Sequence, residues 1–229
     1  MNITYDEVSG RLKEEREHNG WTQEDICKKV YMTQGHYSKA EAGKNYFTHI
    51  ELQNLLKAGM DLHFVYTDER LSHREYYDFL QQCDQQEILC LAEISLPLIV
   101  NYSQELSWEK ADALRQRIKY VKCMFNKDKT ESSHYFQLRR FKAYSQEYMA
   151  NLLGVNKKTY NSLEKQKNFC NSYMLLQMYN QFQVSPLILM NDKRGLAREI
   201  CSLLEQLKDS ASQSIFEYLK YGHEQFWMR

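Results

Sequence analysis

Apolar residues recur along this chain at three- and four-residue steps, and strict alternation is rare. That period puts one side of a helix against a core, so the pattern predicts an all-α protein. Ile26, Cys27 and Val30 make one such face, and Ile50, Leu52, Leu55 and Leu56 make another within a helix over 49–57. Residues 73–90 and 107–125 read as amphipathic helices. In the second of these Ser107 is the N-cap, and Trp108, Ala111, Leu114, Ile118, Val121 and Phe125 form the apolar stripe, as intrachain core or as a dimer surface. Two more helices are expected near 193–208 and 210–222, and the closing FWMR segment offers aromatics that should pack or bind something. Only 2 Pro and 8 Gly punctuate the 229 residues, which fits long helices and short connections.

The pattern also repeats. WTQEDICKKVYMTQGHYSKAEAGKN, from Trp21, aligns with YSQEYMANLLGVNKKTYNSLEKQKN, from Tyr144, at an offset of 123. Gln23 then faces Gln146, Glu24 faces Glu147, Tyr37 faces Tyr160, Glu41 faces Glu164, Lys44 faces Lys167 and Asn45 faces Asn168. Identities extend upstream to Arg16 and Arg139, and downstream to Leu52 and Leu175. After Leu56 the offset becomes 124, and EYYDFL from Glu75 faces EICSLL from Glu199. The repeating unit is therefore a small helical domain plus a following helix.

Within each copy, two short helices meet at a tight turn. Thr22 and Ser145 cap the first helix; Thr33 and Asn156 cap the second. Tyr31-Met32 and Gly154-Val155 make the turns, and Gly43 stops the second helix of the first copy. Apolar residues on both helices complete a helix-turn-helix. At these residues both segments resemble the Cro/C1 (Xre) family, whose fold is the five-helix lambda-repressor-like domain. Thr22-Gln23-Glu24, Cys27, Val30, Met32, Thr33, Tyr37, Glu41, Gly43 and Lys44 carry the likeness in the first copy. Ser145-Gln146-Glu147, Ala150, Leu153-Gly154-Val155, Asn156, Tyr160, Leu163, Glu164 and Lys167 carry it in the second. Three positions depart from the family pattern. Tyr31 replaces the turn glycine, so it must accept a left-handed backbone or shift the turn; Ala40 replaces a larger aliphatic; Gln166 replaces the helix-ending glycine.

The resemblance covers roughly residues 5–67 and 134–191 and implies four segments. Residues 1–70 form a first helix-turn-helix domain, 71–133 connecting helices and a polar linker, 134–191 a second such domain and 192–229 C-terminal helices. The boundary is drawn in NKDKTESS, Asn126 to Ser133. A fourth helix is expected over 49–57 and over 173–181, and a fifth after Asp61 and at Pro186.

The family implies a DNA-binding regulator, most often a repressor, whose second motif helix enters the major groove. That helix would present Thr33, Gln34, Gly35, His36 and Lys39 in the first copy, and Asn156, Lys157, Lys158, Thr159 and Ser162 in the second. Gln pairs with adenine and Lys with guanine acceptors. Family likeness gives Gln23 and Gln146 a phosphate contact that also buttresses the reader helix, and gives Lys44 and Lys167 a backbone contact beyond it. Tyr37 and Tyr160 are assigned to the core, and Lys165 to solvent.

The formal charge of zero leaves only local charge informative. Residues 138–168 hold seven Lys/Arg against two Glu, whereas 11–45 hold seven against six Asp/Glu, so the second copy should supply more salt-sensitive affinity. Six cysteines without a C-x-x-C pair read as reduced core residues, with no metal or cofactor expected. No phosphate loop and no nucleophile beside a His argues for an enzyme, and neither a signal segment nor a membrane span is expected, which places the protein in the cytoplasm. The partners expected are double-stranded DNA and a second half-site reader, supplied by a homodimer or by an intramolecular pseudo-dimer. The competing expectation is a protein-interaction module, or a ligand-sensing module that resembles peptide-sensing regulators, in which one or both copies no longer read DNA.

Overall fold

A computed structural model describes residues 2–125, 133–192 and 194–226. Among these the chain is helical throughout, with no strand. In chain order the helices are α1 (Tyr5–His18), α2 (Gln23–Val30), α3 (Gln34–Glu41), α4 (His49–Ala58), α5 (Leu62–Thr67), α6 (Arg74–Gln82) and α7 (Gln85–Tyr102). A 3-10 turn (Ser103–Glu105) leads to α8 (Trp108–Met124), α9 (His134–Phe141), α10 (Gln146–Leu152), α11 (Lys157–Glu164) and α12 (Ser172–Phe182). The series closes with α13 (Pro186–Leu189), α14 (Gly195–Leu204) and α15 (Asp209–Phe226). None of the described helices is long and apolar enough to cross a membrane. The expected boundary at Asn126–Ser133 falls almost wholly outside the described residues, as do the last three residues of FWMR.

Two compact units result: Met1–Arg70 with Glu131–Met190, and Leu71–Thr130 with Asn191–Arg229. In the first unit local chemistry sets the helix starts. Thr4, Thr22, Thr33, Thr48 and Asp61 each accept a backbone N–H in the first turn of α1 to α5. Ser133, Ser145, Asn156 and Asn171 do the same for α9 to α12. Each such cap stabilises by about 1 kcal/mol. Ile26, Val30, Tyr37, Leu52 and Leu55 fill one core, and Met149, Leu153, Tyr160, Leu175 and Met178 another, all essentially without solvent contact. Full burial of side chains this size contributes about 1.5–3 kcal/mol apiece.

The two helical groups of this unit meet along a seam where α5 packs on α12 and α13. Ser172, the first residue of α12, ties the seam together. Its N–H donates to Phe47 O at 2.9 Å, and its Oγ accepts from Phe47 N–H at 2.9 Å. The same Oγ lies 2.8 Å from Tyr5 Oη, and its carbonyl accepts from Tyr66 Oη at 3.2 Å. Around it Tyr46 tilts against Tyr173, His49 stacks on Phe169 at 4.4 Å, and buried His63 Nδ1 sits 2.9 Å from Ser185 Oγ. Ile3 and Asn180 exchange two more hydrogen bonds, 2.9 and 2.8 Å long.

The second unit corrects three expectations. The helix expected over 73–90 is two helices. Asp84 accepts from Gln86 and Glu87 N–H while Glu87 Oε2 accepts from Asp84 N–H, and this capping box restarts the chain after an extended Cys83. Trp108 leaves the apolar stripe of α8 and is 76 % exposed, because it opens the helix one turn before Ala111 and Leu114 reach the core. Ser107 precedes α8 but makes no side-chain cap. At the centre of this unit Arg117 on α8 donates to both Glu199 carboxylate oxygens on α14, at 2.6 and 3.1 Å, and to Ser202 Oγ at 2.8 Å. Glu205 Oε1 accepts the N–H groups of Ser72 and His73, capping α6 from a distant part of the chain.

Replacing Ser172 by Ala strands the Phe47 N–H and removes a partner of the Tyr5 hydroxyl. We expect a loss of about 2–3 kcal/mol in urea denaturation, since each buried group left unsatisfied costs about 1–3 kcal/mol; a change below about 0.5 kcal/mol would show that the seam does not depend on this hydroxyl.

Candidate nucleic-acid interface

The corner between α2 and α3 starts from its caps. Ile26, Cys27 and Val30 turn inward on α2, while Lys28 pairs with Glu24 at 2.7 Å and Lys29 stands over the Trp21 ring. Tyr31 follows with φ 58° and ψ 42°, so it takes up the left-handed backbone rather than shifting the turn. Its ring is 92 % exposed at the corner. Met32 N–H then closes on Cys27 O, and Thr33 opens α3.

On α3, Gln34, Gly35 and Lys39 face solvent, and Tyr37 is fully buried. A Cβ added at Gly35 would meet nothing within 4 Å. His36 is only half exposed; its Nε2 lies 3.1 Å from Glu51 Oε1 on α4, so its ring is directed at the neighbouring helix. On α11, Lys157 and Lys158 are exposed and Tyr160 is buried. Thr159 and Ser162 are half-buried, with hydroxyls already donating to Asn156 Oδ1 and to Lys158 O, both at 3.1 Å. Thr33 and Asn156 are engaged as caps, accepting from His36 and Thr159 N–H. Lys44 and Lys167 stand exposed just past α3 and α11, where their N–H groups close on Lys39 O and Ser162 O.

A buried polar network fixes α3 against the two helices before it. Glu41 Oε1 accepts from Arg16 Nε at 2.7 Å, and Oε2 accepts from Gln23 Nε2 at 2.5 Å. Arg16 Nη1 also donates to Trp21 O. The arrangement recurs around α11. Glu164 accepts from Arg139 Nε at 2.5 Å and from Gln146 Nε2 at 2.6 Å, while Arg139 Nη1 donates to Tyr144 O. Hydrogen bonding to the carboxylate raises both guanidinium pKa values, and burial raises those of the Tyr37 and Tyr160 phenols. Gln23 and Gln146 thus brace the corner from within. Sequence reasoning noted the recurrence of Arg16, Glu41, Arg139 and Glu164 but missed the pairing; opposite charges repeated at one offset among apolar neighbours were the signal.

The two surfaces differ in charge. Around α11, Arg140, Lys157, Lys158, Lys165 and Lys167 are exposed beside a single exposed acid among the described residues of 133–168, Glu147, because Glu164 is buried against Arg139. Around α3, exposed Glu14, Glu17, Glu24 and Asp25 offset the lysines.

A helix-turn-helix family model matches residues 12–58. The match runs from the middle of α1 to the end of α4 and so contains the first corner whole. A helix-turn-helix of this kind suggests a DNA-binding transcription regulator of the Cro/C1 type. No curated protein and no solved structure matches the chain.

Two substitutions test the corner. Glu164→Ala leaves the largely shielded Arg139, its side chain 12 % exposed, without its carboxylate, and we expect a loss of about 3 kcal/mol in chemical denaturation. Tyr31→Gly removes the strain of a left-handed non-glycine residue, and we expect a gain of roughly 0.5–1 kcal/mol by the same measurement.

Proposed function

We propose that this protein is a cytoplasmic, sequence-specific transcription repressor that reads double-stranded DNA with two unlike helices, α3 and α11. In this reading residues 1–70 and 134–191 are two copies of one helix-turn-helix domain, held together as an intramolecular pseudo-dimer, and 71–133 and 192–229 are connecting and C-terminal helices. One observation carries it: the Arg–Glu–Gln network that braces α3 recurs around α11 with every partner 123 positions further on.

Two other features support the duplication. Left-handed corners fall at matching positions: Gly20 with Ala143, Tyr31 with Gly154, Gly43 with Gln166, and Gly59 with Gln183. Moreover, α5 packs against α13, its counterpart, as equivalent elements do across a two-fold interface.

Base reading falls to Gln34 and Lys39 on α3 and to Lys157, Lys158, Thr159 and Ser162 on α11, with Gly35 allowing close backbone approach. Thr33 and Asn156 orient the helix starts, Gln23 and Gln146 hold the readers, and Lys44 and Lys167 touch phosphates. His36 contributes less than its position promises, because Glu51 engages it. Since the two surfaces carry different side chains, the operator should consist of two different half-sites rather than a palindrome.

His36 and the side-chain-free Gly35 favour a second reading, in which α3 no longer reads bases and the first copy binds a protein or peptide. Selection of random duplexes at moderate salt separates the two. We expect one enriched, non-palindromic motif with two half-sites. Lys157→Ala with Lys158→Ala should weaken binding and lower the salt slope by about 2, and Gln34→Ala should relax preference in the other half-site. An enriched single half-site indifferent to Gln34→Ala would transfer the function to α11 alone; no enriched motif would overturn DNA reading altogether.

A further inference from the structure

Cys83, Glu87 and His223 bring Sγ, a carboxylate oxygen and a ring nitrogen within 4.8 Å of one another. We propose that these three side chains bind one divalent transition-metal ion, zinc by preference, with a fourth position left to water or an incoming ligand.

The donor set is the first ground. Thiolate, imidazole and carboxylate together suit zinc, and three protein ligands with an open fourth place are a recurring zinc arrangement. Distance is the second. Metal–ligand bonds of about 2.0–2.3 Å set tetrahedral donors about 3.3–3.6 Å apart, and His223 Nε2 lies 3.3 Å from Glu87 Oε1.

Orientation is the third. Glu87 spends Oε2 on Asp84 N–H at 2.6 Å, which turns Oε1 toward His223. The His223 ring stands edge-on to Phe79, 5.4 Å between centroids. The hydrogen bond that holds the second oxygen of Glu87 is a support of the kind that commonly accompanies metal ligands. Cys83 and His223 are buried, and Glu87 is half-buried. Asp84 is not a ligand, because its side chain caps α7.

Cys83 and Glu87 come from the tight corner between α6 and α7, whereas His223 comes from α15, which packs on α7. A bound ion would therefore staple α15 to that corner. Binding exchanges the thiol proton for the metal, so one proton leaves to solvent for each ion bound to sulfur.

Cobalt titration of the full-length, reduced, chelator-treated protein tests this. We expect saturation at one Co2+ per chain, a thiolate-to-cobalt charge-transfer band in the near ultraviolet, its loss on adding Zn2+, and a higher Tm with Zn2+ than with chelator. Cys83→Ser should abolish the band. Glu87→Gln, which keeps the cap acceptor, and His223→Ala should each raise the Kd at least tenfold, with circular dichroism confirming the fold. Cys90→Ser with Cys123→Ser should change nothing. No saturable band, or a band that survives in Cys83→Ser, overturns the site; should Cys83→Ser fail to fold, unchanged affinity in both Glu87→Gln and His223→Ala overturns it equally.

Discussion

A carboxylate buried between helices must be neutralised where it sits, and the first unit is arranged around that requirement twice. Glu41 and Glu164 close α3 and α11, and both are almost wholly shielded from water. An ionised carboxylate in such a place is costly unless a cation and further donors meet it. Arg16 or Arg139 supplies the cation from the preceding helical segment, and Gln23 or Gln146 adds an amide from the helix between. Each arginine also donates from Nη1 to the carbonyl before that helix, of Trp21 or Tyr144. Three consecutive helices are thereby cross-linked at one buried point. The exposed faces of α3 and α11 inherit their orientation from it.

Much of this was legible in the sequence because its causes are local. Thr22, Thr33 and Asn156 cap helices from within three residues, and buried Tyr37 and Tyr160 follow the helical period. The break at Cys83 was hidden because Asp84 and Glu87 lie inside a run whose apolar period continues through them. Partners far apart in sequence left no such trace. His36 meets Glu51, Arg117 meets Glu199 and His223 meets Glu87 only once the chain has folded. The exposure of Trp108 has the same origin, since a helix's first residue belongs to its stripe only if the partner surface reaches that far.

Backbone strain is distributed unevenly. At four matched corners one side has glycine and the other a residue with a side chain: Ala143, Tyr31, Gln166 and Gln183. Each side-chain-bearing residue held at positive φ costs about 1 kcal/mol or more, so both helical groups carry some strain that their caps and cores must outweigh. Three of the four fall in the C-terminal group. The one of these four in the first group, Tyr31, carries the most exposed of the large hydrophobic side chains among the described residues, and Asp68 at the end of α5 adds a second left-handed position there.

The seam at Ser172 has a consequence for dosage. Two separate subunits form a pair by mass action, so their active fraction falls on dilution. In the proposed pseudo-dimer both partners lie on one polypeptide, and their encounter would be governed by tether length rather than by cell content. A regulator built this way would fill its operator in direct proportion to its own abundance. Its response to synthesis would be graded down to a few molecules, without the threshold that obligatory self-association imposes.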